Sequence, residues 1–300
     1  NRNRSSHNLA ANYVNTPADL DTINPLTLET LTLTDVARQN NRNNNLFVVD
    51  YNIPNGNISY SGLHSTIDKD ITTYANVYPL QTPDGQRNFD TGELLNRIKV
   101  TSETWKYEQQ LSPDLKLDLF KSFSRSTNGD TNKVYNFRET AAYTTDVGNK
   151  SVANIQEFTI NDTNATWFER YDYNEYYTSE KEHAFGGNME FDLKINNQIS
   201  GKVKFGFKNR NKTREHDRDY EYATFTYVGM NDKRDTTYQM FEFLNGIPNG
   251  TKYAPYQYFM DRDYDDEGFL DGQYTLGPFA DIDKMNQLFS YFRTNWNWDP

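Results

Sequence analysis

One run in this chain has residue types and spacing that could hold a hard cation: Asp261-Arg262-Asp263-Tyr264-Asp265-Asp266-Glu267-Gly268. Carboxylates at positions 1, 3 and 5 match the start of a calcium loop. The pattern then fails, because position 6 is Asp266 where a Gly is needed and position 12 is Gly272 in place of Glu. Two readings stand: a solvated acidic loop, which the failed positions favour, and a calcium site on Asp261, Asp263 and Asp265. The four histidines, His7, His64, His183 and His216, lack the i, i+4 spacing of a zinc helix and read as ordinary lumen or loop residues. No nucleophile elbow, P-loop or dinucleotide fingerprint occurs, and nothing pairs carboxylates for acid–base work. We therefore expect no enzymatic activity and, calcium aside, no cofactor.

Aromatic residues gather at Trp167, Phe168, Tyr171, Tyr173, Tyr176 and Tyr177. Such rings collect in belts at membrane–water interfaces, and their faces also stack on ligands. Belt and loop packing is the favoured reading, with Trp167, Tyr171 and Tyr173 kept as candidate substrate or plug contacts. Lys202, Lys204 and Lys208 share one side of a strand pattern. Lys202 and Lys204 are candidates to meet acidic groups of a plug or a substrate.

The element that must position these lysines is a hairpin from Phe185 to Lys208. Met189, Phe191, Leu193 and Ile195 alternate with polar residues, and so do Ile199, Val203, Phe205 and Phe207. Successive strand side chains point to opposite faces. A turn at 196–198 pairs Ile195 with Ile199, Phe191 with Val203 and Met189 with Phe205, so both apolar rows share a face. Each apolar run spans about nine residues, enough for a tilted strand to cross a bilayer's hydrocarbon layer.

Leu46 to Gly62 reads as a second hairpin, in which a turn at Asn55-Gly56 pairs Ile53 with Ile58 and Tyr51 with Tyr60. A third pair of strands runs over 94–111 and 115–125, joined by Ser112-Pro113-Asp114. There Leu111 faces Leu115, Gln109 faces Leu117 and Tyr107 faces Leu119, with Lys121 the impurity on the apolar row. Residues 1–15 look like the end of a strand. The text between these units reads as long polar connections. One helical turn is expected at Thr34–Arg38 and irregular chain over 65–93. Short strands are expected at Val134–Tyr143 and Val152–Ile160, and an amphipathic helix over Asp281–Phe292. Tight turns alternating with long connections are the habit of outer-membrane barrels, whose short turns lie on the periplasmic side.

Composition agrees. Hydrophobic residues are 35% of the 300, aromatics are 15%, and mean hydropathy is −0.93. A compact globule of that composition is short of core, whereas a barrel with a wet inner face is not. A net charge of −11 opposes nucleic acid as a partner. There is no cysteine, hence no disulfide framework or thiolate metal site. No run of 18 apolar residues offers a transmembrane helix. The chain opens Asn1-Arg2-Asn3-Arg4 without Met or leader, and we expect it to be part of a longer protein.

The segment Leu46-Phe47-Val48-Val49-Asp50-Tyr51-Asn52-Ile53-Pro54-Asn55-Gly56 resembles a barrel hairpin of TonB-dependent outer-membrane receptors, in the subgroup with a carboxypeptidase-like regulatory N-terminal domain. Ile199 to Asp219 resembles another hairpin and its ascending strand, and the likeness runs in order along most of the chain. The resemblance implies a plugged barrel of about 22 antiparallel strands, of which this chain would supply some seven or eight. It also implies a bacterial outer-membrane location, with lipid, a plug domain, the TonB system and a nutrient as partners. No TonB box, plug or closing strand with a terminal aromatic is seen; Asn295-Trp296-Asn297-Trp298-Asp299-Pro300 does not match one.

The expectation is thus an all-β, antiparallel up-and-down transmembrane barrel segment with long extracellular loops, one domain over residues 1–300, serving nutrient uptake. The rival is a secreted or surface-attached β-sheet module that binds glycans. It would bury Phe191, Val203 and Phe205 in a protein core.

Overall fold

The computed structural model describes residues 2–15, 26–82, 84–143, 147, 150–160, 162–194, 200–224, 231–264 and 268–295. Its frame is one seven-stranded antiparallel sheet in which every strand pairs with its neighbour in sequence. The strands are β1 (Arg2–Asn15), β2 (Leu26–Ile53), β3 (Gly56–Pro79), β4 (Arg87–Ser112), β5 (Leu115–Glu139), β6 (Thr166–Lys194) and β7 (Ser200–Thr224). From β2 onward each has 24 to 29 residues. At the usual rise such strands reach roughly 80–100 Å.

That length overturns much of the expected loop. The helical turn at Thr34–Arg38 is strand, inside β2. Residues 65–79 belong to β3 and 87–93 to β4. The polar text from 126 to 139 completes β5, and the aromatic cluster opens β6. The expected strand at Val134–Tyr143 is only the end of β5, and Val152–Phe158 is a 3-10 helix. Asn and Thr have little periodicity of their own here. Ladder bonds from neighbours on both sides hold them extended, with Asn40–Asn45 set against Lys69–His64 without a break. Strand preference depends on such neighbours more than on residue type. The helix over 281–292 is present as α2 (Ile282–Asn295), preceded by α1 (Asn231–Met240), which the sequence reading did not foresee.

Of the three expected registers, those of β4–β5 and β6–β7 are found and that of β2–β3 is displaced by two residues. The β2–β3 turn uses Pro54-Asn55, so Ile53 pairs with Gly56 and Tyr51 with Ile58. Asn55 has φ 59°, and Pro followed by a left-handed Asn is the pattern of a type II turn. The shift is by two residues, so every side chain keeps its face. At β4–β5, Gln109 meets Leu117 and Tyr107 meets Leu119 as expected, but an irregularity at Leu111 leaves Ser112 opposite Leu115. Phe191 pairs with Val203 and Met189 with Phe205. The 196–198 turn and the Ile195–Ile199 pair lie outside the described residues.

The β2–β3, β4–β5 and β6–β7 connections all fall at one end of the sheet. At the other end lie the 80–86 and 140–165 connections and the chain that follows β7. The sheet is not closed. β7 is one edge, and β1 reaches only to Asn40, so among the described residues nothing pairs with the outer side of 41–53 of β2.

The core sits at the end away from the tight turns, where the chain after β7 packs on one sheet face. Met285, Leu288, Phe289 and Phe292 of α2 are buried. Phe289 meets Tyr171 edge-on at 5.3 Å and Tyr173 at 5.2 Å. Tyr256 lies against Phe137 at 4.7 Å and Phe89 at 5.4 Å, and its hydroxyl donates to Pro278 O at 2.6 Å. Lys133 and Tyr135 both donate to Asn286 Oδ1, tying α2 to β5.

A buried ion pair holds the same end. Arg87 Nε donates to Glu139 Oε2 at 2.8 Å, while Glu139 Oε1 accepts from the Asp162 amide at 2.8 Å. Burial pushes the Glu139 carboxyl upward despite the opposing pull of Arg87. Removing one partner strands the other charge, which is far costlier than removing both. We expect Arg87→Met to cost about 3–5 kcal/mol of unfolding free energy and Arg87→Met with Glu139→Gln to cost clearly less, as measured by denaturant titration.

Candidate functional site

The tight-turn end presents an apolar surface that nothing among the described residues covers. Phe47, Tyr51, Trp105, Met189, Phe191, Phe205 and Phe207 are exposed there, Phe205 by 68% and Phe207 by 55%. Their side chains share one face, because the ladders run unbroken from row to row: Tyr51–Ile58–Tyr107–Leu119–Gly187–Phe207, and two residues nearer the turns Gln109–Leu117–Met189–Phe205. Gly187 suits the first row, since a Cβ there would stand 2.9 Å from the Asp118 carbonyl oxygen as well as 2.5 Å from the Leu119 side chain. Tyr60 and Trp105 lie with tilted rings 4.6 Å apart along the upper margin of this band, and Phe185 meets Phe207 edge-on at 5.3 Å. From the Trp105 row to the turns the band takes in three rows on β2 and five on β6, and the nine residues 185–193 of β6 match the hydrocarbon span of a tilted barrel strand.

Counting pairs along the same ladders gives a result the sequence did not suggest. Tyr171 and Tyr173 are odd-numbered residues of β6, as are Phe185, Met189 and Phe191, and no bulge separates them. The face that carries the apolar band at one end is therefore the face under α2 at the other.

On the reverse face the character changes. Lys202 reaches Glu190 at 2.5 Å and Asp192 at 3.4 Å, and Lys204 reaches Glu190 at 2.7 Å. Arg210 pairs with Glu182 and Lys212 with Glu180 further along. Side chains on this face of β7 are exposed, Lys202 by 66% and Lys204 by 65%. The reverse face is not wholly polar, since Ile67, Ile71, Leu94 and Ile98 also point that way.

The candidate site residues do not converge. Lys202 and Lys204 lie near the tight turns on the reverse face, already engaged by carboxylates of β6. Tyr171 and Tyr173 lie at the far end, buried beneath α2. Trp167 stands beyond them, its indole donating to Glu169 and its ring 4.8 Å from that of Tyr253. Asp261 Oδ1 accepts from the Asp263 amide. Asp265 lies outside the described residues, and among those described no group of three potential metal ligands occurs.

The sequence reading missed the aromatic margin. Trp105 pairs with Lys121, which pairs with Phe185. The lysine that spoiled the apolar row thus belongs to that margin, where a long stem can lie on apolar surface with its charge in water. Counting parity back from Tyr107 would have located Trp105.

Glu190 stands directly opposite Lys204 in the ladder. Like charges so placed are destabilising. Lys204→Glu is expected to lower the unfolding midpoint, while Lys204→Gln, with Lys202 still holding Glu190, leaves it nearly unchanged; a thermal scan in detergent reads both.

No family model matches this chain, and no curated protein matches it.

Proposed function

We propose that this chain is part of the wall of an outer-membrane β-barrel whose parent protein takes up a nutrient, in the manner of the TonB-dependent receptors its hairpins resemble. One observation carries the reading: an uncovered apolar band of hydrocarbon-spanning height, on one face, at the tight-turn ends of neighbouring strands. Hydrocarbon is the medium in which such a surface is stable. The opposite assignment would set Glu180, Glu182 and Glu190 with their cationic partners against lipid tails, at a cost of several kcal/mol.

The up-and-down order, the strand lengths and the two open edges support the same reading, since exposed edges are a liability that barrel closure removes. The glycan-binding rival needs Phe191, Val203 and Phe205 in a protein core. The core that the described residues form lies at the other end of the sheet. Under this proposal the charged reverse face lines the lumen, and Lys202, Lys204 and Lys208 point toward whatever the lumen holds.

Lipid contact makes the two faces respond differently to charge. In the full-length protein, Phe191→Arg or Phe205→Arg is expected to cost about 2–4 kcal/mol, and Asn188→Lys on the reverse face far less. Refolding into lipid vesicles, followed by the gel shift between boiled and unboiled samples, measures this. Equal damage from both substitutions contradicts the assignment of faces.

A further inference from the structure

Between the apolar band and the packed end, the same face carries a patch of positive charge that no part of the foregoing account uses. Three successive rows across β4, β5 and β6 read Thr101–Arg125–Lys181, Lys99–Thr127–Ser179 and Arg97–Gly129–Tyr177. They hold four cations and no carboxylate. Arg97 is engaged by Asp68 of β3 at 2.5 Å. The rows continue into Glu215 and Asp217 on β7, but Lys99, Arg125 and Lys181 make no ion pair among the described residues.

Arg125 and Lys181 are directly opposed in the ladder, an arrangement that destabilises a sheet unless an anion bridges it. Two rows further along, over Gly129, which has no side chain, lies a depression of about 390 Å³ lined by His64, Arg97, Lys99, Arg125, Thr127 and Tyr177.

The position of the patch selects the anion. It begins about 13 Å along the strands from the Trp105 row, on the side away from the tight turns. This inference rests on the proposed membrane orientation, which puts that level among the headgroups of the outer leaflet. We infer that the patch binds the phosphate groups of an outer-leaflet lipid, with the depression over Gly129 as the seat, Lys99 and Arg125 as the cations that line it, and Lys181 beside Arg125. The acyl chains of that lipid would lie along the band below, over Trp105 and Phe185.

The test uses the full-length protein in detergent, titrated with diphosphoryl lipid A and with the same lipid after removal of its phosphates. The phosphorylated form should bind more tightly. A surface cation contributes about 1 kcal/mol toward an anionic lipid, so Lys99→Gln with Arg125→Gln should weaken binding roughly twenty-five-fold. Gly129→Val should weaken it too while keeping every charge; a Cβ there meets only Tyr177, at 4.0 Å, so the strand accommodates it. Lys106→Gln with Lys208→Gln, on the reverse face, should change nothing.

Equal affinity for the two lipids overturns the inference, as does wild-type binding by both patch variants. Full displacement by inorganic phosphate reassigns the depression to a free anion and equally overturns it. The boiled and unboiled gel shift of the same preparations reads the barrel proposal separately. A heat-modifiable protein without phosphate preference loses this inference alone, whereas one without the shift loses the barrel.

Discussion

Uninterrupted strand parity is the constraint on which everything else in this molecule depends. Side chains alternate between faces with a period of two, and a slip of one residue would exchange the faces wholesale. From Arg170 to Lys194 the β6–β7 ladder has no bulge, and the β2–β3 ladder has none from Thr30 to Ile53. The irregularities that do occur sit at the ends, at Asn12/Tyr13, Gln110/Ser112 and Asn136/Phe137. Over more than twenty residues per strand, the packed end, the polar belt and the apolar band are thus locked to one side.

This locking has a consequence for how the molecule is arranged. The chain after β7, with α2 and the loop that carries Tyr256 and Phe259, packs on the same side as the apolar band and not on the charged reverse. If the band meets lipid, that cap lies outside the wall, above the membrane, and the lumen-facing surface is left to the Glu and Lys ladders of β6 and β7. Those ladders neutralise themselves: Glu190 with Lys202 and Lys204, Glu182 with Arg210, Glu180 with Lys212. Their face nevertheless carries an excess of cations, since Lys208, Arg214 and Arg218 stand on it beyond those pairs.

The parts of this arrangement legible in the sequence were those with a strong period. Met189 to Phe207 announced its pairing because apolar and polar residues alternate there without a fault among the described residues. α2 was legible because Met285, Leu288, Phe289 and Phe292 recur at helical spacing. Asn40 to Asn45, or Ser124 to Thr131, carry no apolar period at all, because every residue in them is polar or Gly. Only their neighbours make them strands, and neighbours are not visible in one sequence. The turn at Pro54-Asn55 was misplaced by one residue because Asn-Gly competes with Pro-Asn as a turn signal, and Pro54 fixes the φ that decides it. Tyr171 and Tyr173 could not be assigned to the core without knowing that α2 returns to cover them.

Medium contact along β7 tests the central claim most directly. The chain contains no cysteine, so single cysteines at 203, 204, 205 and 207 can each carry a polarity-sensitive fluorophore in the full-length protein, reconstituted in vesicles. The account predicts quenching by bilayer-borne nitroxide at 203, 205 and 207 and by an aqueous quencher alone at 204. Aqueous quenching of equal strength at all four positions would contradict it.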